Sequence, residues 1–430
     1  MRIKKMFAII MILILAVSSF TACSKSGSSD VTKKDETVND ESSANSTEPS
    51  NEKVTLQLWH YFSAGNADVL NSMIEEFNTS QSGVEIVATY IARADLMKQY
   101  TLGAISGELP DIGMVDSPDM ASYIEMGVFE DITSLVDTWG EIDNFYEGPL
   151  SSCIADGKIY GLPQNTNCLA LFYNIDLLKK SGYTQAPKTW NELYEIAKAC
   201  TTDKVSGFAM SAKASEEGTF TYIPWLYSTG ADVNSLDSAE AISSMTFLAK
   251  LVEEGAMSKE VVNWGQTDVY ESFLAGNTAM MQNGSWQIET LKANAEAAGI
   301  NWGCAYLPSD KENATVLGGE NFGICAGADS EAAFTFFQYM MGTDGNAQFN
   351  LAAGKFPVRS DSMAKNDLWT TDPFYKVFAE SMDFAVARGP HAQWPTISQG
   401  IYSALQAVIL GEKTPEEAMK EAAEVVNSVY

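Results

Sequence analysis

Apolar and polar side chains follow a regular pattern from residue 54 onwards, and its period changes repeatedly between that of a strand and that of a helix. Residues 54–59 have the two-residue period of a half-buried strand, and residues 69–77 have the helical period. The strand period returns at 84–88 and the helical period at 96–105. A short apolar run at 112–115 predicts a buried strand. This alternation predicts an α/β fold with helices on the faces of a sheet.

Residues that begin and end helices are clearest in the second half of the chain. Thr189 and Glu192 have the spacing of a capping box and predict a helix over 189–199. Thr414 and Glu417 repeat this spacing around Pro415. Further helices are predicted at 120–126, 238–254, 268–275, 286–298, 330–341 and 345–353, and strands at 279–282, 301–306 and 322–326. No internal repeat of about 20–50 residues is found, so a solenoid is not predicted.

The first 53 residues have a different pattern. Residues 6–20 are apolar, follow two lysines, and end at Ala22-Cys23, which predicts a secretory signal (1–22) and lipid attachment at Cys23. The apolar run is shorter than the roughly 20 residues that span a bilayer. Phe20 departs from the usual lipoprotein signal, which has Leu there, and a plain secreted protein or a short membrane anchor is the alternative. Residues 23–53 are polar and of low complexity and predict a lipid-anchored, disordered tether.

Composition narrows the class of partner. The formal net charge is −29, from 56 acidic and 27 basic residues, which disfavours nucleic acid and anionic membrane surfaces as partners. With 430 residues, 46% of them hydrophobic, the chain can bury the cores of two or more domains. Besides Cys23 there are five cysteines, none in a C-x-x-C spacing, so no zinc or redox motif is indicated. Most are expected to be small buried apolar residues, and a Cys153–Cys168 disulfide stays open as an alternative.

Catalytic and metal-binding chemistry is poorly represented. The chain has two histidines, His60 and His391, and neither lies in a nucleophile, zinc-ligand or phosphate-loop motif. No pair of carboxylates stands out as a glycosidase pair. We therefore expect no enzyme activity, no cofactor and no metal.

Aromatic residues give the strongest indication of a ligand. Several fall where predicted strands and helices meet loops, which is where an α/β sheet binds ligands. An indole or phenol ring offers an apolar face to a sugar and a polar edge to its hydroxyls. The residues in question are Trp59, Tyr61, Phe62, Trp225, Tyr227, Trp286 and Trp394. Core packing of each ring singly is the alternative.

Several sequence motifs spread over the body point to one family. They are GELPDI (107–112), GVFEDI (127–132), YGLP (160–163), LFYNIDL (171–177), PKTWNEL (187–193), FLAGNTAM (273–280), GSW (284–286), WP (394–395) and TPEE (414–417). On these motifs the chain resembles the family 1 extracellular solute-binding proteins of bacterial ABC sugar importers, of the maltose-binding type. The resemblance covers nearly all of residues 54–430.

The resemblance implies a two-lobed, periplasmic-binding-protein-like (type II) α/β fold, with a ligand cleft between two sheets flanked by helices. The implied lobes are 54–165 plus 320–355 and 166–319 plus 356–430. It further implies stacking of sugar on Trp286 and Trp394, and a polar ligand contact at Asp116. Looser implied contacts are Trp59, His60, Tyr61, Phe62, Asn165, Trp225, Glu320 and Arg388.

The same resemblance implies the partners and leaves alternatives. The implied function is capture of a carbohydrate, an oligosaccharide in length, and its delivery to ABC transporter permease subunits. The implied protein is a monomer that a lipid anchors to the outer side of the cell membrane of a Gram-positive-type bacterium. A glycerol phosphate or another small anion is the second reading, with Arg388 as the clamp among Arg93, Arg359 and Arg388. A surface glycan-binding protein without a permease is the third.

Overall fold

The structure is a computed structural model that describes residues 53–430. The predicted signal segment, Cys23 and nearly all of the tether lie outside these residues. The strands are β1 (Val54–His60), β2 (Val84–Tyr90), β3 (Ile112–Asp116), β4 (Ile154–Ala155), β5 (Lys158–Ile159), β6 (Leu162–Pro163), β7 (Leu169–Asn174), β8 (Ser206–Ala209), β9 (Thr278–Gly284), β10 (Trp302–Ala305), β11 (Thr315–Val316), β12 (Glu320–Ile324) and β13 (Ala385–Val386).

Helices connect and cover the strands. They are α1 (Ala64–Ser80), α2 (Arg93–Ser106), α3 (Met120–Glu125), α4 (Thr133–Trp139), α5 (Glu147–Ser151), α6 (Ile175–Lys180), α7 (Trp190–Cys200), α8 (Glu216–Ser228), α9 (Ala239–Glu253), α10 (Gln266–Leu274), α11 (Gln287–Ala298), α12 (Ser330–Met341), α13 (Thr343–Ala353), α14 (Ser360–Met363), α15 (Leu368–Thr371), α16 (Pro373–Ser381), α17 (Trp394–Leu410) and α18 (Pro415–Asn427). Short 3₁₀ turns lie at Ser117–Asp119, Ile142–Asn144, Lys259–Val262 and Met382–Phe384.

The first lobe is built on a five-stranded sheet in the order β2-β1-β3-β12-β6. β1 pairs in parallel with β2 and β3, and β12 runs antiparallel to β3 and β6. β3 has all five residues buried, as its central place between β1 and β12 requires. The carboxyl ends of β1, β2 and β3 therefore meet at one edge of this sheet, where they lead into Tyr61, Ile91 and Ser117.

The second lobe is built on a four-stranded sheet in the order β10-β7-β9-β8, of which only β8 and β9 pair in parallel. β9 is central and fully buried. Its last residue, Gly284, leads directly into Trp286 and α11. Two small two-stranded ladders, β4–β5 and β11–β13, are the remaining sheets described for residues 53–430.

Helix ends agree with the sequence in most places and differ in one detail. Thr414 and Glu417 form a complete capping box, with N–H···O distances of 3.0 and 3.2 Å. At α7 the Thr189 hydroxyl accepts from the N–H of Glu192 at 3.2 Å, but the Glu192 carboxylate accepts from Lys188 instead of Thr189. The second half of the predicted box at 189–192 is thus displaced by one residue.

The structure corrects the reading of the stretch around Pro224. The sequence pattern placed Trp225 and Tyr227 at a loop junction after a proline, but both lie inside α8, which continues through Pro224. A proline removes one backbone donor from a helix without preventing burial of its neighbours. The helix survives because nearly all of it is buried, so tertiary packing outweighs the local cost.

Each sheet has its own hydrophobic core, and three chain segments run between the two. The bridging segments carry Asn165, Gly318–Gly319 and Lys355–Phe356, and they pair with one another through isolated bridges such as Thr166–Phe356. Beyond the third segment Val358 still packs in the first core and Arg359 still binds Glu141, although the sequence assigned both to the second lobe. The other predicted lobe limits stay predictions.

The cysteines of the described part of the chain are all free, and four of the five are buried. The alternative of a Cys153–Cys168 disulfide therefore has no counterpart in the structure. Among residues 53–430 we find no helix that is both long and apolar enough to cross a membrane.

Candidate functional site

A cavity of about 500 Å³ lies between the two lobes. The first lobe contributes Tyr61–Ser63 between β1 and α1, the beginning of α1, Tyr90 at the end of β2, Arg93 and Asp116. The second lobe contributes α8, α10 and the start of α11, and the bridging segments form the base with Gly318–Glu320 and Lys355. Six aromatic rings line it: Tyr61, Phe62, Tyr90, Phe220, Tyr270 and Trp286. Large size, aromatic walls and a few convergent polar groups are typical of a small-molecule site.

The first-lobe wall presents aromatic rings that already carry protein cations. The Arg93 guanidinium lies 5.4 Å from the Tyr61 ring centre, and the Lys355 ammonium lies 4.4 Å from that of Phe62. Beside them, α1 begins after Ser63 without a side-chain cap on its first N–H groups. Ser63, Gly65 and Asn66 from this helix start line the cavity. Uncapped N–H groups here are available to ligand oxygens.

The second-lobe wall is shaped by Trp286 and the first turns of α8. A Cβ atom on Gly284 would lie about 2.0 Å from the Trp286 ring, so the glycine is what lets the indole fold back over β9. The Trp286 ring stacks near Phe220, with 6.4 Å between centres and 26° between planes. Glu217, on the same turn of α8, accepts a hydrogen bond from the N–H of Gln266 at 3.0 Å. The wall therefore combines flat apolar faces with carboxylates.

An ion network joins the lobes at one end of the cavity. Arg388 donates to both oxygens of Asp116, at 2.9 and 3.0 Å, and to Glu216 at 2.6 Å. Arg93 donates to the same carboxylate of Asp116. The Arg388 and Asp116 side chains are only 2% and 6% exposed, so the pair is held out of water. Asp116 comes from β3 of the first lobe and Glu216 from α8 of the second, and Arg388 thus binds across the two.

The electrostatics of this network show in three pKa shifts. Burial would raise the pKa of Asp116, but Arg388 and Arg93 together lower it below its ordinary value. Burial would lower the pKa of Arg388, but Asp116 and Glu216 raise it. The pKa of Asp119 is raised to about 8, first by burial and then by repulsion from Glu216 and Asp116. Asp116 and Glu216 therefore match the two arginines in charge, and Asp119 beside them is largely protonated near neutral pH.

A second network ties together the three bridging segments. One oxygen of Glu320 accepts from Asn165 at 2.6 Å and from Lys355 at 2.7 Å. Its other oxygen accepts from the Tyr61 hydroxyl at 3.4 Å. Gly319 comes so close to the backbone of residue 165 that a Cβ would lie 2.2 Å from its carbonyl oxygen, and its φ of +149° is one that glycine tolerates. The base of the cavity is thus packed around Glu320.

The structure brings about half of the predicted site residues to the cavity. Those that line it are Tyr61, Phe62, Asp116, Trp286, Glu320 and Arg388. Asn165 lies directly behind, bonded to Glu320. The oxygens of Asp116 are bonded to Arg93 of its own lobe and to Arg388, and its role as a ligand contact stays a prediction.

The remaining predicted contacts do not reach the cavity. Trp225 is 1% exposed and donates from its indole to Gln282 in the second core, and Tyr227 packs against the same core. Trp394 is also 1% exposed, and its indole donates to Glu216 at 3.1 Å, behind Arg388. Trp59 packs against Tyr100, and His60 is buried beside Tyr90 with Nδ1 unpaired. In this structure these five side chains pack within the protein, and their roles as ligand contacts stay predictions.

Sequence reasoning missed other lining residues. They are Tyr90, Arg93, Glu217, Phe220, Tyr270, Glu271 and Lys355. Tyr90 is the last residue of β2, two residues beyond the predicted strand at 84–88, and is 56% exposed. Glu217 and Phe220 were hidden by the failure to predict α8. Among residues 53–430 no cluster of three or more histidine, cysteine or acidic side chains has the geometry of a metal site.

Comparison with known proteins places the fold in a family. Residues 72–377 match the sequence profile of the family described as bacterial extracellular solute-binding protein. The chain belongs to this family. The resemblance inferred from the motifs is thereby confirmed, and the family is one of solute binders rather than enzymes.

Solved structures confirm the two-lobed α/β fold. An ABC transporter solute-binding protein from Thermotoga lettingae, bound with alpha-D-tagatose, is 26% identical, with 88% of this chain and 100% of that one covered and a TM-score of 0.81. A cyclic alpha-maltosyl-1,6-maltose binding protein from Arthrobacter globiformis is 26% identical, with 88% and 99% covered and a TM-score of 0.73. The sn-glycerol-3-phosphate-binding periplasmic protein of Agrobacterium fabrum is 22% identical over 340 residues, 70% of this chain and 74% of the relative.

Proposed function

We propose that this protein is the substrate-binding component of an ABC importer, which captures a carbohydrate between its lobes and delivers it to membrane permease subunits. The observation that carries the proposal is the cavity of about 500 Å³ between the lobes, with Trp286 and Tyr270 on one wall and the uncapped start of α1 on the other. Flat rings cover the C–H faces of a sugar, while carboxylates and backbone N–H groups bind its hydroxyls.

Charge in the cavity supports a carbohydrate over a small anion. A phosphate or carboxylate ligand needs a cation that is free to bind it, preferably an arginine. Arg388, the predicted clamp, is already bonded to Asp116 and Glu216, and Arg93 is bonded to Asp116. Arg359 lies outside the cavity, bonded to Asp361 and Glu141. A glycerol phosphate ligand would have to displace protein carboxylates, so this reading has less support.

We propose further that the protein binds its ligand without changing it. Closure of two lobes over a ligand is favoured because contacts to both walls exist together only in the closed form. The permease would recognise that form. Lipid on Cys23 would hold the protein, as a monomer, at the outer face of the membrane. A location outside the cell agrees with the extracellular family. A chromogenic glycoside incubated with the protein should release no product.

A thermal-shift screen of residues 53–430 against mono- and oligosaccharides tests the function. Ligand at 100 times its dissociation constant stabilises the folded state by about 2.7 kcal/mol, so a binding sugar should raise the melting temperature by several degrees. Glycerol 3-phosphate and inorganic phosphate serve as the anionic comparison. A shift with phosphate compounds and none with any sugar would contradict the proposal. A preference for long polymers over short oligomers would favour a glycan-binding protein without a permease.

Loss of the Trp286 ring should weaken sugar binding strongly. A central aromatic contact contributes on the order of 2 kcal/mol, so Trp286→Ala should raise the dissociation constant about thirtyfold. Isothermal titration calorimetry with the sugar found in the screen measures the change. Trp302→Ala is the matched control, because Trp302 stacks on Phe374 outside the cavity, with 4.0 Å between ring centres. Equal affinities of the Trp286 variant and the wild type would show that the ring is not a sugar platform.

A further inference from the structure

The charged side chains of the cavity are unevenly matched. Three cations line it, Arg93, Lys355 and Arg388, and each is bonded to a protein carboxylate. Four carboxylates line it, Asp116, Glu217, Glu271 and Glu320. Glu217 and Glu271 have no ion-pair partner among the described residues, and both belong to the second-lobe wall. The positive charge of the cavity is therefore used within the protein, while negative charge remains on one wall.

The surroundings add to this negative potential. Glu216 lies directly behind the wall, and it and Glu217 begin α8, where a helix start stabilises ionised carboxylates. Asp119 lies nearby, and burial together with repulsion from Glu216 and Asp116 raises its pKa to about 8, so near neutral pH it is largely protonated and responds to the negative potential instead of adding to it. The whole protein carries −29, so its field draws cationic solutes towards the cavity and repels anionic ones.

The aromatic rings of the cavity fall into two groups, those with a protein cation over the ring and those without a described one. Tyr61, Phe62 and Phe220 each have a protein cation over the ring, at 5.4, 4.4 and 4.4 Å from the ring centre. Trp286, Tyr270 and Tyr90 also line the cavity, but no described cation lies over them. Trp286 and Tyr270 are on the same wall as Glu217 and Glu271. This wall thus combines the two groups that bind an ammonium ion, namely aromatic rings with no described cation over them and carboxylates with no ion-pair partner among the described residues.

From this arrangement we infer that the ligand carries a protonated amino group, as in an amino sugar or an oligosaccharide that contains one, and that this group binds at the second-lobe wall beside Glu217, Glu271 and Trp286. The inference rests on the proposed function and narrows its ligand class. A neutral hydroxyl also bonds to a carboxylate, but it leaves the charge of the wall uncompensated. An amine at the same position compensates that charge and gains the aromatic face.

Matched pairs of sugars test the inference. Glucose against glucosamine, galactose against galactosamine, and cellobiose against the β-1,4-linked glucosamine disaccharide differ only by amino for hydroxyl groups. Calorimetry at pH 6, where a primary amine is protonated, should give at least tenfold tighter binding of the amino member of the pair that binds. The ratio should shrink between 0.02 and 0.5 M NaCl because salt screens the partly exposed charges. N-acetylation of the amine should remove the preference.

Substitution of the wall carboxylates gives a second readout. The double variant Glu217→Gln/Glu271→Gln should bring the ratio of affinities for the amino and hydroxyl sugars close to one. The control variant Glu253→Gln, on the outer surface of α9, should leave this ratio unchanged. Melting curves check that each variant is folded. Equal or tighter binding of the hydroxyl member by the wild type overturns the inference and leaves sugar binding intact. If no sugar of either kind binds, the proposed function and the inference fall together.

Discussion

Replacement of Arg388 by Met should lower the free energy of unfolding by about 3 kcal/mol, because buried Asp116 keeps Arg93 as its one remaining cation and Glu216 loses its ion-pair partner among the described residues. The side chain is 2% exposed and bonded to Asp116 and Glu216, which lie on different lobes. Methionine fills a similar volume, so the loss is chiefly one of charge pairing. Because the same bonds join the lobes, we also expect ligand affinity to fall at least tenfold, about 1.4 kcal/mol.

The pH dependence of this loss follows from the sign of the pKa shift. In the wild type the folded-state pKa of Asp116 lies below 3.8, so the pair stabilises the fold above about pH 4 and ceases to do so as the pH falls through the lowered value. Without Arg388, Arg93 alone opposes the effect of burial, so the pKa of Asp116 moves upwards and protonation relieves the partly unpaired charge. The stability gap between variant and wild type should therefore be largest near pH 7 and shrink towards pH 4.

Denaturant unfolding at a series of pH values measures both effects. Arg388→Lys retains a charge but cannot bond both Asp116 oxygens, so it should fall between the variant and the wild type. Asp116→Asn/Arg388→Met should be more stable than Arg388→Met alone, because the carboxylate that needed the arginine is gone. A gap that is independent of pH, or a double variant no better than the single one, would attribute the loss to packing and not to the ion pair.

The sequence predicted elements with strong local patterns and missed α8, which depends on tertiary packing. Elements with strong local signals were predicted well, such as β1, β2, β3 and the helices that end at glycines. α8 was not, because its Pro224 suggests a break locally and the helix is held by burial, which no local pattern records. The error carried over to the site. Trp225 was predicted as a ligand contact, while Phe220 and Glu217, about one and two turns earlier in α8, were not predicted.

The site residues likewise fall into those with a local sequence signal and those whose contacts join distant parts of the chain. Trp286 could be predicted because a glycine, a turn and a helix start surround it in sequence. Arg93, Lys355 and Glu320 could not be assigned partners, since their contacts join positions far apart along the chain. Trp394 shows a further limit. Its place at a helix start suggested a ligand platform, but the indole bonds to Glu216 and supports the ion network from behind.

Replacement of Glu320, at the base of the cavity, is expected to have the second large effect on stability and sugar affinity. Glu320→Ala should lower the free energy of unfolding by about 3 kcal/mol or more, because Lys355, 4% exposed, would lose its carboxylate while remaining out of water. Asn165 and Tyr61 would lose an acceptor at the same time. Since these bonds hold the three bridging segments together, sugar affinity should fall beyond what the loss of a single ligand contact explains.

Two further variants separate charge from hinge packing. Glu320→Gln keeps an acceptor for Asn165 without the charge, and Glu320→Ala/Lys355→Met removes both members of the pair. If the stranded ammonium causes the loss, the double variant should recover a large part of the stability that Glu320→Ala loses, in urea unfolding at pH 7. Its sugar affinity should stay low, because Asn165 and Tyr61 remain without their acceptor. Recovery of both stability and affinity would mean that Glu320 serves only to neutralise Lys355, and recovery of neither would place its role outside the ion pair.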